Sequence, residues 1–134
     1  MYKDSEFHEV ASFLEQNNIQ ILSTSFNNNP ISRPVGSVII VDNKIWYCVG
    51  NDKLMFSQLQ DNPRICICVC ANDFSWIRIM ADAVFNNDIA VKKIFISKGN
   101  TRFSDPDDDM MSIFYLSNVY AEIHRQGNRK IFRF

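Results

Sequence analysis

Ile31-Ser-Arg-Pro-Val-Gly-Ser-Val-Ile-Ile-Val41, Asp42-Asn-Lys44 and Ile45-Trp-Tyr-Cys-Val-Gly-Asn-Asp-Lys53 follow one another without interruption. Residues 31–41 and 45–49 are rich in β-branched and aromatic side chains, which suit strands, and Asp42-Asn43-Lys44 between them is tight-turn chemistry. Upstream, residues 19–26 share that composition and reach residue 31 through the turn cluster Asn27-Asn28-Asn29-Pro30. The expectation is an antiparallel meander of three strands. Pro34 and Gly36 make its second strand irregular, because proline lacks a ladder donor and glycine has no side chain to pack.

Working outward, Gly50-Asn51-Asp52 ends the strand pattern. From residue 53 to 61, Met55, Phe56 and Leu59 share a helical face, and Pro63 biases Asn62 away from helix. Before the meander, Phe7, Val10, Ala11 and Leu14 fall at i, i+3, i+4 and i+7, which predicts a helix over 5–16 with one buried stripe. After it, strands are expected at 64–71 and 76–85 around Asn72-Asp73, the first apolar on both faces as in a central strand. A short helix at 89–97 with outward lysines, a polar loop at 98–109, and strands at 113–124 and 130–134 around Gln126-Gly127-Asn128 complete the chain. No internal repeat or linker interrupts it, so residues 1–134 read as one domain. The class is mainly β (α+β): an antiparallel split β-barrel of about six or more strands with short flanking helices. Periodicity supports an open α+β sandwich equally well, since strand order is not written in one sequence.

With 14 basic and 15 acidic side chains in 134 residues, the formal charge of -1 gives no reason to expect binding to nucleic acid or anionic membranes. Any anion site must be local. The start, Met1-Tyr-Lys-Asp-Ser-Glu, lacks the basic and apolar regions of a secretory signal, and the longest apolar run, 65–71, is too short to span a bilayer. A cytoplasmic location with reduced thiols follows as the expectation for Cys48, Cys66, Cys68 and Cys70. The last three alternate along one strand, which is not the knuckle geometry of a zinc site, so they are expected to be buried packing residues and no metal is assigned. His8 and His124 have no accompanying nucleophile, and Asp105-Pro-Asp107-Asp-Asp109 lacks the spacing, glycine and closing glutamate of a calcium loop.

Two places invite chemistry. Around Pro34 and Gly36 the backbone can lie against a flat ligand while Arg33 reaches for an anion, although a solvated arginine on an edge strand explains the same residues. Gly50-Asn51-Asp52-Lys53 joins a strand end to a helix start, where free amides and the helix dipole favour an anion, with Lys53 and Asn51 as further donors. Simple capping by Asn51 or Asp52 is the plainer alternative. Trp76, Arg78 and Met80 share a strand face that suits either packing or contact with a heteroaromatic ligand.

Taken together, Ser32-Arg33-Pro34-Val35-Gly36, Ile45 to Lys53, Gln58-Leu-Gln-Asp-Asn-Pro63, Trp76-Ile-Arg-Ile79, Phe114-Tyr-Leu116 and Ala121-Glu-Ile123 resemble, in order and spacing, the pyridoxamine 5'-phosphate oxidase-like family of FMN-binding split barrels. The resemblance implies a homodimer with FMN sites at the subunit interface. It implies Arg33 and Lys53 on the phosphate with Asn51 assisting, and Pro34, Val35, Gly36, Cys48 and Val49 along the isoalloxazine ring. Gln58 is a further implied contact, as is Trp76, from the partner chain. The activity so implied is an FMN-dependent oxidoreductase acting on a small molecule, the flavin carrying the electron chemistry. Vitamin B6 oxidation is not expected, because the ending Arg129-Lys-Ile-Phe-Arg-Phe134 does not reproduce the additional substrate-binding arginine and histidine pattern of true pyridoxamine phosphate oxidases, which are longer chains. A non-catalytic carrier, or a barrel that takes deazaflavin or haem, remains open beside this reading.

Overall fold

The structure, a computed structural model, describes residues 5–134, so the sequence reading of Met1 to Asp4 lies outside the described residues. Helix α1 (Ser5–Gln16) buries Phe7, Val10, Ala11 and Leu14 as the spacing predicts, and Phe13 with them. Its last carbonyls, which have no intrahelical partner, accept side-chain amides: Asn17 Nδ2 donates to Phe13 O at 2.9 Å and Gln20 Nε2 to Leu14 O at 3.2 Å. The buried Tyr47 hydroxyl donates to Gln20 Oε1 at 2.6 Å, tying the helix end to the barrel interior.

The remaining elements are β1 (Gln20–Phe26), β2 (Asn29–Val35), β3 (Ile39–Val41), β4 (Lys44–Gly50), α2 (Leu54–Asp61), β5 (Arg64–Cys70), β6 (Trp76–Phe85), α3 (Ile89–Lys98), β7 (Met111–Arg125) and β8 (Asn128–Arg133). All strand pairings are antiparallel, in the order β2-β1-β5-β6-β7-β4-β3, with β8 also on β7. This is a split β-barrel of α+β class with flanking helices, not the open sandwich that periodicity also allowed.

The three-stranded meander needs correcting. Residues 31–41 are two strands, not one, and they stand at opposite ends of the hydrogen-bonded order. The break falls at residues 36–38, and there Ser37 replaces the missing ladder: the Cys48 N–H donates to its Oγ at 3.0 Å and that Oγ donates to Cys48 O at 3.3 Å. The split of the barrel is therefore crossed by a continuous stretch of chain.

β7 serves two partners along one edge, β4 with residues 111–115 and β8 with residues 120–125. Between them the β6–β7 register shifts at Met80/Asp82, Asn118 takes φ 52°, and the freed amide and carbonyl of Val119 pair with Phe134. Two cores result. Ile67, Ile79, Tyr47, Phe114 and Leu14 belong to the barrel interior, while Trp46, Val91, Phe95, Phe103 and Ile113 form a smaller cluster where α3 covers the outer side of β4 and β7. β4 is thus buried on both faces.

Two burial expectations fail. On β5 the inward residues are Ile65, Ile67 and Val69, so Cys66 is half-buried and Cys68 and Cys70 are exposed. Apolar composition on both faces had hidden which face turns inward. On α3, Lys92 is buried, not outward, while Lys93 and Lys98 face solvent. The helix is closed at both ends by its own chemistry: Asp88 Oδ1 accepts from Ala90 N at 2.8 Å, and Gly99 takes φ 69°, a left-handed turn that lets Asn100 N donate back to Phe95 O.

Candidate functional site

A cavity of about 760 Å³ opens where β2, the residues crossing the split, the end of β4, the start of α2 and the loop after α3 meet. Its size falls within the range of small-molecule and cofactor sites. Pro34, Val35, Val49, Met55 and Phe103 supply apolar wall, and Arg33, Lys53 and Arg102 supply the cations.

Arg33 is neither the free clamp nor the solvated edge residue that the sequence allowed. Its Nη1 donates to Leu22 O at 3.2 Å, Thr24 Oγ1 at 3.0 Å and Ile31 O at 3.2 Å, and its Nη2 donates to Gln58 Oε1 at 2.7 Å. Burial lowers its pKa, yet an arginine stays charged. Every partner is neutral, so the positive charge is fixed in place without being cancelled. Gln58, buried at 6% exposure, accepts from Thr24 Oγ1 at 2.7 Å as well. Two donors on Oε1 fix the orientation of the amide, and Gln58 forms part of the cavity wall.

At the other end, α2 begins with Lys53 in the cap position and no side-chain hydrogen bond to its first amides. Capping by Asn51 or Asp52 is therefore not what these residues do. Asn51 is spent on the loop after α3: its N–H donates to Met110 O at 2.8 Å, its Nδ2 to Asp109 O at 2.8 Å, and its Oδ1 accepts from Ser112 Oγ. Asp52 pairs with Arg102 at 2.6 Å. The uncapped helix start remains beside Lys53, Leu54 and Met55 in the cavity wall.

Of the residues singled out from sequence, Arg33, Pro34, Val35 and Gly36 line this cavity, as do Cys48, Val49, Lys53 and Gln58. Asn51 and Trp76 lie outside it. Trp76 stacks on His124, ring centroids 4.0 Å apart, on the outward face of the sheet, with the Arg78 guanidinium 4.9 Å from its ring. Neighbouring protein does not demand a glycine at position 36, where a Cβ would meet nothing nearer than Asn18 O at 3.8 Å. Cys48 touches Thr101 Oγ1 at 3.4 Å; burial pushes its thiol pKa up, against the opposing effects of that hydrogen bond and of Lys92 and Arg102. A neutral thiol here is wall, not nucleophile. Sequence reasoning missed Asn100 to Phe103, which read as solvated loop; an arginine and an aromatic just after a helix-closing glycine were the available signal.

Fold and cavity together define a split β-barrel with a cationic, apolar-walled cleft. The chain belongs to the pyridoxamine 5'-phosphate oxidase family, whose model matches residues 7–134. No curated protein matches it significantly in sequence. Among solved structures it is similar to a NimC/NimA family protein from Clostridium acetobutylicum (21% identity, 97% of this chain and 93% of that one, TM-score 0.90). It is also similar to General Stress Protein 26 from Bacillus anthracis (14% identity, 96% and 98% covered, TM-score 0.79). A haem-binding protein from Mycobacterium smegmatis shares the fold at 14% identity, over 99% of this chain and 60% of that one, with a TM-score of 0.67. No helix among the described residues is long and apolar enough to cross a membrane.

Proposed function

We propose that the cavity binds FMN and that the protein is an FMN-dependent oxidoreductase acting on a small molecule other than a vitamin B6 phosphate. The observation that carries this reading is the convergence of Arg33, Lys53 and an uncapped helix start on one cavity with apolar walls. Lys53, the α2 amides and the donors of Arg33 not given to protein would hold the phosphate. Pro34, Val35, Gly36, Cys48 and Val49 would face the isoalloxazine ring. Bound FMN would supply hydride or single-electron chemistry, and the protein would supply position and shielding. Haem fits less well, since His8 lies on α1 and His124 against Trp76, leaving no histidine in the lining.

A homodimer belongs to the same proposal. It is supported by the outward face of β1, β5 and β6, where Ile21 (44% exposed), Met80 (39%), Cys68 and Trp76 stand together beside Arg78, a mixture suited to an interface core. Sedimentation of the purified protein measures the state directly; a monomer at all concentrations removes this part.

The test of the main reading is an absorption spectrum and FMN titration of the wild type and of the R33A/K53A double variant. A flavin spectrum that the double variant loses is the expected result, and a wild type with no affinity for FMN overturns it. Stoichiometric FMN that NADH and NADPH fail to reduce would replace the oxidoreductase with a flavin carrier.

A further inference from the structure

The cavity rim holds a third cation that the proposed phosphate site does not yet use. Arg102, on the loop after α3, donates from Nη2 to Asp52 Oδ1 at 2.6 Å, with the two side chains 51% and 41% exposed. The pair meets over Gly50, where a Cβ would run into both the guanidinium and the carboxylate, so the glycine permits the contact. The Arg102 guanidinium also lies 4.3 Å from the Phe103 ring centroid, and Phe103 is rooted in the outer core, so the loop presents the arginine from an anchored base.

Asp52 sits just before α2, where a carboxylate ordinarily takes the first helix amides. Here it is turned aside to Arg102, and the cap position at Lys53 accepts no side chain. Independently, the nearly buried Gln58 lines the same cavity, and with its Oε1 taken by Thr24 and Arg33 its Nε2 has no acceptor among the described residues. The first amides of α2 and the Gln58 amide thus lack an anion, while Asp52, the acidic residue of the cavity wall, is engaged by an arginine.

We propose that Arg102 is a further phosphate-binding residue and that Asp52 is its exchangeable counter-anion. When a phosphate monoester seats beside Lys53, Arg102 releases the carboxylate and takes a phosphate oxygen. Half-exposed arginine–carboxylate pairs contribute little net stability, so giving one up costs little, and a dianion offers the guanidinium fork a stronger partner than a monoanion. Asp52 meanwhile occupies Arg102 in the absence of phosphate and sets a threshold that ligands without a dianionic group do not pass. The inference rests on the FMN reading of the cavity and deepens it.

The experiment measures affinities for FMN and for riboflavin, which lacks the phosphate, by flavin fluorescence in the wild type, R102Q and D52N. The preference for FMN over riboflavin should fall about tenfold or more in R102Q, the loss of one charge-assisted hydrogen bond, and should rise in D52N. A merely structural role for Arg102 lowers both affinities together and leaves the preference unchanged, which overturns the assignment. A preference that falls in D52N overturns the counter-anion role. Should the wild type bind neither flavin, the FMN reading fails separately, and the anion site is read with inorganic phosphate against chloride at equal ionic strength. A phosphate-specific rise in melting temperature that R102Q loses upholds the site; no such rise, or one that R102Q keeps, overturns it.

Discussion

Arg33 and Arg102 reach the same cavity from different elements, and their settings are opposite. The β2 arginine is half-buried and gives its donors to backbone carbonyls, a threonine and a glutamine, all uncharged. The loop arginine is exposed and faces one carboxylate. A cation held by neutral acceptors keeps its charge for a ligand but cannot follow it. A cation held by an anion is neutralised, yet free to exchange.

The severest way to sharpen this contrast is to remove the base beneath the loop. Phe95 is fully buried in the outer core that also holds Phe103. Phe95→Ala should cost about 3–5 kcal/mol by urea denaturation, the range for emptying a buried aromatic site, and should expose the 99–110 loop to proteolysis before β2. Next, Arg33→Ala should cost about 2 kcal/mol, since it strips hydrogen bonds from the buried Gln58 and Thr24, while Arg102→Ala should stay within about 0.5 kcal/mol, as exposed pairs do. Equal losses for the two arginines would break the comparison.

The smallest effect concerns a third arginine. Arg78 meets Glu122 at 3.1 Å, and His124 meets the same carboxylate oxygen at 2.7 Å. The His124 hydrogen bond, with Arg78 adding to it, holds the Glu122 carboxyl below its usual range. A carboxylate depressed in the native state binds its proton more readily when unfolded. Its stabilisation is therefore complete above the ordinary value of 4.5 and is lost as pH falls through the lower native one. Glu122→Gln should flatten the acid limb of a stability-against-pH curve; an unchanged acid limb would count against the assignment.

The legible parts of the fold were the local ones. The α1 stripe and the limits of β6 follow from periodicity, and both appear where the spacing put them. Pro34 and Gly36 announced an irregular strand, but nothing local said that its halves would part to opposite ends of the sheet, because strand order is set by contacts far along the chain. The same reason divides the site. Residues 33–58 lie close in sequence and could be grouped on sight, whereas Thr101 to Phe103 arrive from some fifty positions away in a stretch whose polarity reads as solvent exposure. Inside and outside were equally hard to tell where both faces of a strand are apolar, as the cysteines of β5 show.

The short crossing between β2 and β3 has a mechanical consequence. Residues 36–38 act as a leash: with roughly 3.3–3.6 Å per residue at full extension, the strand ends at Val35 and Ile39 can never separate by more than about 14 Å. Ser37, clipped to Cys48, shortens that leash further. The two ends of the hydrogen-bonded order are therefore tied together by covalent chain, and the tie itself, at Gly36 and Ser37, is part of the cavity wall.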